Sequence, residues 1–268
     1  MLINEHPEVL NYKRQLVKHF DRASLSYDTY AEFQRVVLDR LLPMLPSGSY
    51  DRVLDLGAGT GQALSDLIQK TQPSFCLALD LSCQMLSVAQ SRFPELDEVH
   101  YLCADAESLP LANGSLDLAF SSLAIQWSLS PEALFDGLFQ VLKPGGYFVF
   151  STLLENSMPE IEGAWSAIGS PNHVHRYVSS NVLSGQLEEA NFKVLSLYKS
   201  KIAMQFDSPE SAINSLKKVG ASLIRSDEHN TVSPSKWKAF IKEYERQRSE
   251  EGIPLSYQVA FVVVQKPY

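Results

Sequence analysis

The chain has 268 residues, with 23 Lys and Arg against 31 Asp and Glu, for a net charge of −8 at pH 7. That length supports one large core, and 45% hydrophobic with 20% charged residues excludes a disordered or fibrous chain. The acidic pI near 5.3 argues against non-specific nucleic-acid or anionic-membrane binding, and no apolar run reaches the roughly 18 residues that a membrane helix needs.

Apolar residues recur at helical spacing over 8–20 and 30–44, and Pro43 with Pro46-Ser47-Gly48 ends the second helix. Arg52 to Leu56 is a short apolar run ahead of glycines, which reads as a buried strand, and a helix follows over 61–70. A strand from Ser74 to Asp80 leads to a helix over 82–92 with Ser82 as its N-cap. Val99 to Cys103 and Leu116 to Ser122 are the next strands, the latter entered through the Asn113-Gly114 turn. A helix over 131–141 opens on Pro131, and Lys143-Pro144-Gly145-Gly146 turns into the strand Tyr147 to Thr152. Strands that are apolar throughout, alternating with helices, imply a parallel sheet covered on both faces.

Further on, 158–168 and 179–190 read as helices and Phe192 to Met204 as a long strand. Helices over 208–219 and 234–248 precede a last strand, Leu255 to Gln265. The stretch 205–255 is too long for a hairpin loop and reads as a helical insertion over the sheet's active edge. The expected fold is α/β: a doubly wound, seven-stranded, mostly parallel sheet in a single domain. Within it, 1–45 is an N-terminal helical segment, 50–155 the cofactor-binding core, and 156–180 and 205–255 the substrate-lid insertions.

Cys76, Cys83 and Cys103 are odd in number and lack metal-ligand spacing, so they read as reduced, mostly buried thiols. His19, His173 and His175 show no ligand pattern either, and no metal is expected. The acidic start, Met-Leu-Ile-Asn-Glu-His-Pro-Glu, lacks the basic and apolar parts of a signal peptide, which points to the cytoplasm.

The chemistry lies in Asp55-x-Gly57-x-Gly59-x-Gly61, straight after the first strand. Glycine there lets the backbone approach a ligand closely. The third glycine follows the second by only two residues, and an acid precedes the first by two, which is not the usual dinucleotide pattern. A pyrophosphate would be repelled by Asp55, whereas a ligand bearing an ammonium and a sulfonium would not. Asp80 ends the second strand, 19 residues after Gly61, where a carboxylate accepts both ribose hydroxyls. Asp105-Ala106 lies just past the third strand, placed for an adenine amino group.

Four stretches together resemble the class I S-adenosylmethionine-dependent methyltransferases. They are Val53 to Gly61, Leu79-Asp80-Leu81-Ser82 with Met85-Leu86, Asp105 to Leu111, and Val141-Leu142-Lys143-Pro144-Gly145-Gly146. A narrower resemblance spans nearly the whole chain, to the malonyl-acyl-carrier-protein O-methyltransferases of biotin synthesis. It rests on Phe20-x-Arg22-Ala23-x-x-x-Tyr27, Ser122 to Trp127, His175-Arg176-Tyr177, Ser215 to Ala221 and Pro254-Leu255-Ser256-Tyr257. The family often has Cys or Ala-Gly-Cys where this chain has Leu56-Gly57-Ala58, and Ala58 should still fit. The resemblance implies S-adenosylmethionine as cofactor, S-adenosylhomocysteine as product and methyl transfer to the free carboxylate of a malonyl thioester. It places the cofactor against Asp55, Gly57, Ala58, Gly59 and Gly61, then Asp80, Leu81 and Met85. Asp105, Ala106, Ser122, Leu123 and Trp127 complete that set.

A malonyl carboxylate is ionised at neutral pH, so it is already the nucleophile and no general base is expected. The catalytic task is alignment and exclusion of water. Arg176, in His173-Val174-His175-Arg176-Tyr177, is the first candidate for clamping the carboxylate, and Tyr27 the second. A surface salt bridge would equally explain Arg176, and core packing would explain Tyr27, Gln126 or Trp127. Residues 1–150 carry 10 basic and 18 acidic side chains, whereas 151–268 carry 13 of each. The run Lys193, Lys199, Lys201, Lys217, Lys218 and Arg225 against Asp207 and Glu210 is either a solvated face or a landing patch for an acidic carrier protein. Expected partners are that carrier and no nucleic acid or membrane, with the chain a monomer. A methyltransferase for another small acceptor such as a quinone precursor, or an idle cofactor-binding module, stays open.

Overall fold

A computed structural model describes residues 7–171, 173–221 and 232–268. Three helices come first: α1 (Pro7–Ala23), the single turn α2 (Tyr27–Tyr30) and α3 (Glu32–Leu41), which a 3₁₀ turn extends over Leu42–Met44. The alternating core follows as β1 (Arg52–Leu56), α4 (Leu64–Thr71), β2 (Phe75–Asp80), α5 (Cys83–Arg92), β3 (Val99–Cys103) and β4 (Leu116–Ser122). Next come α6 (Pro131–Val141), β5 (Leu142–Leu153), α7 (Pro159–Ala167), α8 (Ser180–Glu189) and β6 (Lys193–Phe206). The last elements are α9 (Pro209–Lys218), α10 (Pro234–Glu245) and β7 (Ile253–Gln265).

The seven strands form one sheet in the order β3-β2-β1-β4-β5-β7-β6. Pairings from β3 to β5 are parallel, and β7 runs antiparallel to both β5 and β6. The order reverses between β1 and β4, which opens a crevice at the carboxyl ends of these strands. Strand residues alternate between two cores: Val53, Leu118, Phe120 and Val149 pack with α3, α4, α5, α7, α9 and α10. Leu54, Ala119, Phe148 and Phe150 pack with α6 and α8 on the opposite face. This two-sided burial is what the uninterrupted apolar strands anticipated.

Local chemistry sets the boundaries. Ser82 caps α5 by accepting from Met85 N at 3.1 Å, Ser179 caps α8 through Val182 N, and Ser208 closes a capping box on α9. The strand β5 begins at Leu142 rather than Tyr147, because the Lys143–Gly146 turn is taken into the ladder as a bulge opposite β4. The described part of the connection between β6 and β7 carries α9 and α10, the helical content that its length implied. Arg225 lies outside the described residues.

The cysteine expectation is corrected. Cys83 and Cys103 form a disulfide with a Cα–Cα separation of 5.3 Å, and both are exposed; only Cys76 is buried and free. The register explains it. Asp80 pairs with Cys103 across β2 and β3, so the first turn of α5 lies over the end of β3. Spacing along the chain does not show that adjacency. Among the described residues no helix is long and apolar enough to cross a membrane.

Candidate active site

The crevice holds a cavity of about 130 Å³ walled by the ends of β1, β2, β3 and β4 and by α1. Gly57, Gly59, Asp80, Leu81, Met85, Asp105 and Ala106 line it, as do Ser122, Leu123 and Trp127. The glycine loop is left-handed at alternate residues. A Cβ on Gly57 (φ 71°) would lie 2.2 Å from the Ala124 Cβ, so the chain tolerates none there. A Cβ on Gly59 (φ 55°) would meet nothing within 4 Å, leaving its backbone open to a ligand. Gly61 lines neither this cavity nor the smaller one beside it. It lets α4 pack close, since a Cβ there would press on Leu64 and Ala89.

Two carboxylates stand side by side in this loop region, Asp55 buried and Asp80 half-buried. Asp80 accepts from Gly59 N at 2.9 Å through Oδ2 and from Ser82 N at 2.8 Å through Oδ1. Burial raises its pKa against those hydrogen bonds. Asp55 is 2% exposed, and its Oδ2 has no hydrogen-bond partner. Burial, then the charge of Asp80, pushes its pKa up to about 7. With Ala58, Asp55 lines a cavity of about 40 Å³ continuous with the larger one through Tyr27, Gly57, Gly59 and Ser122. An orphaned buried carboxylate oxygen calls for a cationic donor.

The third carboxylate, Asp105, accepts from Glu107 N at 2.9 Å and pairs with Lys13 Nζ at 2.6 Å. Lys13 also pairs with Glu107 at 2.8 Å, and the side chain is 13% exposed. Burial alone would raise the Glu107 pKa. Lys13, Ser128 and the Ser130 and Leu129 amides outweigh it and hold the carboxyl below its ordinary value.

The helices α1 and α2 roof the cavity, and both are tied to strand-end loops. Lys13 of α1 holds the loop after β3, and Asp21 accepts from the Ser82 hydroxyl at 2.6 Å, which holds the loop after β2. Asp28 of α2 holds the glycine loop: it accepts from Thr60 Oγ1 at 2.7 Å and Gln62 Nε2 at 2.6 Å, and it pairs with Arg92. The sequence reading passed over Lys13, Asp21, Asp28 and Glu107. Charges in a short amphipathic helix look like solvated faces until the fold brings their partners near.

A second cavity, about 180 Å³, adjoins the first. Phe20, Tyr27, Leu123 and Trp127 line both and form the neck between them. Phe20 meets Trp127 edge-on at 5.7 Å. Leu123 holds a left-handed backbone (φ 52°), a strain fixed by its amide donating to Ser151 O at 3.1 Å. Gln126 is pinned by donating to Leu123 O at 2.7 Å. The far wall is mostly apolar or aromatic, with Met158, Met204, Phe206, Leu216 and Val219, and Tyr257 stacked on Phe33 at 3.8 Å.

Tyr27 and Tyr177 are among the tyrosines that line this cavity. Burial raises both phenol pKa values; the charge of Asp80 adds to it at Tyr27 and Tyr12 at Tyr177. Both are therefore neutral donors at physiological pH. Arg176, next to Tyr177, is exposed and lines neither cavity, whereas Tyr177 is half-buried in the wall. The cation in the lining is Arg35, which donates to Asp28 O at 2.6 Å, and Glu32 is the anion.

Comparison with known proteins agrees with this geometry. A family profile described as "Methyltransferase domain" matches residues 54–150. A malonyl-[acyl-carrier protein] O-methyltransferase of Marinomonas sp. (strain MWYL1) is 61% identical over 267 residues, covering 100% of this chain and 99% of that one. The protein of that name from Hahella chejuensis is 31% identical, covering 94% of this chain and 90% of that one. The biotin biosynthesis bifunctional protein BioHC of Cellvibrio japonicus is 34% identical across 95% of this chain, which spans 50% of that longer protein. Among solved structures, an S-adenosylmethionine-dependent methyltransferase from Mesorhizobium loti shares the fold. Its TM-score is 0.53 at 23% identity, over 85% of this chain and 96% of that one.

Proposed function

The chain belongs to the malonyl-[acyl-carrier protein] O-methyltransferases, and from that premise we propose how its two cavities perform the reaction. The enzyme is S-adenosylmethionine-dependent and esterifies the free carboxylate of a malonyl group on acyl-carrier protein, an early step of biotin synthesis. The observation that carries the reading is the shared neck of Phe20, Tyr27, Leu123 and Trp127, which joins a carboxylate-lined cavity to an aromatic one.

The residues fit the cofactor. Asp80 would hold the ribose, Asp105 the adenine amino group, and the unpartnered Asp55 oxygen the ammonium, while Gly59 leaves space for the chain between them. Gly57, Ala58, Leu81, Met85, Ala106, Ser122, Leu123 and Trp127 would complete the walls around it. When bound, the cofactor supplies an electrophilic methyl on a sulfonium. The chain's own residues do the rest. The carboxylate arrives ionised, so no base is required, and Tyr27 and Tyr177 cannot act as one because burial keeps their protons on.

They donate instead. Two neutral hydroxyls can orient one carboxylate oxygen and leave the other free to attack the methyl carbon. They stabilise the charge less than a buried guanidinium would, which preserves its reactivity. Arg176, one residue from Tyr177 and facing out, attracts the anion from the exterior. Trp127 and Phe20 close the neck against water.

The thioester arm would occupy the mostly apolar cavity, whose wall includes residues of α2, α3 and α9. Lys218 sits over the Tyr30 ring at 5.5 Å and Lys217 over Trp237 at 5.6 Å, so both cations flank Ser215, Leu216 and Val219 of the cavity wall. With Arg35 they give an acidic carrier a basic rim to dock on. The insertions 156–180 and 205–255 act as lids by supplying this wall, and the enzyme acts as a monomer.

The test is methyl transfer from labelled S-adenosylmethionine to malonyl- and acetyl-carrier protein. Label is expected on the first alone, since only malonyl has a free carboxylate. Equal labelling of both, or of neither, would sink the reading.

A further inference from the structure

Asp55 Oδ2 is not the only buried oxygen without a partner in the small cavity. Gln34 Oε1 is buried there too, unpartnered, on α3. Gln34 sits next to the core stripe of that helix, formed by Phe33, Val37, Leu38 and Leu41, so its side chain is drawn inward with the apolar face. It lines both the 40 Å³ cavity and the acceptor cavity, which places it at the boundary between them. Two buried acceptors in one cavity, neither given a donor by the protein, require a ligand that is all donor at that point. An ammonium has three N–H groups and a charge that a carboxylate and an amide carbonyl both favour.

We propose that Gln34 binds the α-ammonium of the cofactor's amino-acid end jointly with Asp55, so that the N-terminal segment supplies part of the cofactor site. The inference rests on the S-adenosylmethionine reading above and deepens it. The profile match covers residues 54–150, so Gln34 lies outside the part of the chain that it describes. The segment holding Gln34 is locked over the glycine loop by Asp28, whose own carbonyl also fixes Arg35. Closure of that segment and capture of the ammonium are then one event.

The test separates the amino-acid end from the nucleoside. Calorimetry would measure binding of S-adenosylhomocysteine and of 5′-methylthioadenosine, which lacks the amino acid, to the wild-type chain and to Gln34→Leu. Wild-type binding of 5′-methylthioadenosine, measured first, tests the cofactor reading by itself. Gln34→Leu is expected to weaken S-adenosylhomocysteine about tenfold or more, as loss of a charged hydrogen bond does. It should change 5′-methylthioadenosine less than about twofold, which also shows that the variant is folded. Equal weakening of both ligands would mean that Gln34 only holds the roof in place, and would overturn the proposal. Unchanged affinity for both would overturn it as well.

Discussion

Replacing Asp55 by Asn should make the ligand-free protein more stable and the cofactor weaker bound. In the folded chain the Asp55 pKa is pushed up to about 7, from the 3.8 of an exposed carboxyl, by burial and then the charge of Asp80. Folding therefore raises this acid's pKa by 7 − 3.8, about 3 units, or about 4 kcal/mol at 1.36 kcal/mol per unit. The sign follows from proton counts. Between pH 3.8 and 7 the folded state holds more proton than the unfolded one, so stability falls as pH rises through that window. The penalty is absent below it and complete above it.

Asn cannot ionise and escapes this penalty. The stability difference between variant and wild type, from urea unfolding without ligand, should grow by about 2–3 kcal/mol from pH 5 to pH 8 in favour of Asn. Wild-type affinity for S-adenosylhomocysteine should meanwhile rise up to about tenfold per pH unit below pH 7, because the ammonium needs the ionised carboxylate. In the variant that dependence should vanish and binding should be at least tenfold weaker. A stability difference that stays constant across pH would refute the buried, unpaired state of Asp55.

Four further outcomes are expected. Asp80→Ala removes a charged acceptor for the ribose, worth on the order of 1.5–3 kcal/mol per hydrogen bond, so calorimetry should show S-adenosylmethionine binding at least tenfold more weakly with the fold intact. Tyr27→Phe should lower kcat by about tenfold or more. Arg176→Ala should mainly raise KM, and the reverse split in steady-state kinetics would return the clamp to Arg176. Reversing Lys217 and Lys218 to Glu should raise KM for malonyl-carrier protein, more so at low salt, and spare a short malonyl thioester; a loss shared by both substrates would remove the docking role.

The sheet was legible because its strands carry their burial in their composition. Val53-Leu54-Asp55-Leu56 and Leu118 to Phe120 are apolar on both faces, and the glycines mark where the first strand stops. Asp80 and Asp105 could be placed because one ends a strand and the other follows a strand end by two residues. What escaped depends on which pieces of chain meet in space. Lys13 reaches residues more than 90 positions away, and Asp28 reaches Arg92, so no local pattern contains either pairing. Cys83 and Cys103 meet only through the register of β2 and β3. Arg176 looked like the pocket's cation by its motif; the path of an irregular segment, invisible to periodicity, puts Tyr177 in the wall and leaves Arg176 exposed. The turn α2 is four residues long, too short for any helical repeat to declare it.

The roof of α1 and α2 has a kinetic meaning. The helices that cover the nucleoside also furnish Phe20 and Tyr27 to the acceptor cavity, so that cavity is complete only once the roof is shut. The two reactants are then expected to bind in sequence, S-adenosylmethionine before the malonyl thioester, with the methyl ester leaving before S-adenosylhomocysteine. Exchange of the spent cofactor would require the Lys13, Asp21 and Asp28 contacts to break, so each cycle would include one unlatching of the N-terminal segment.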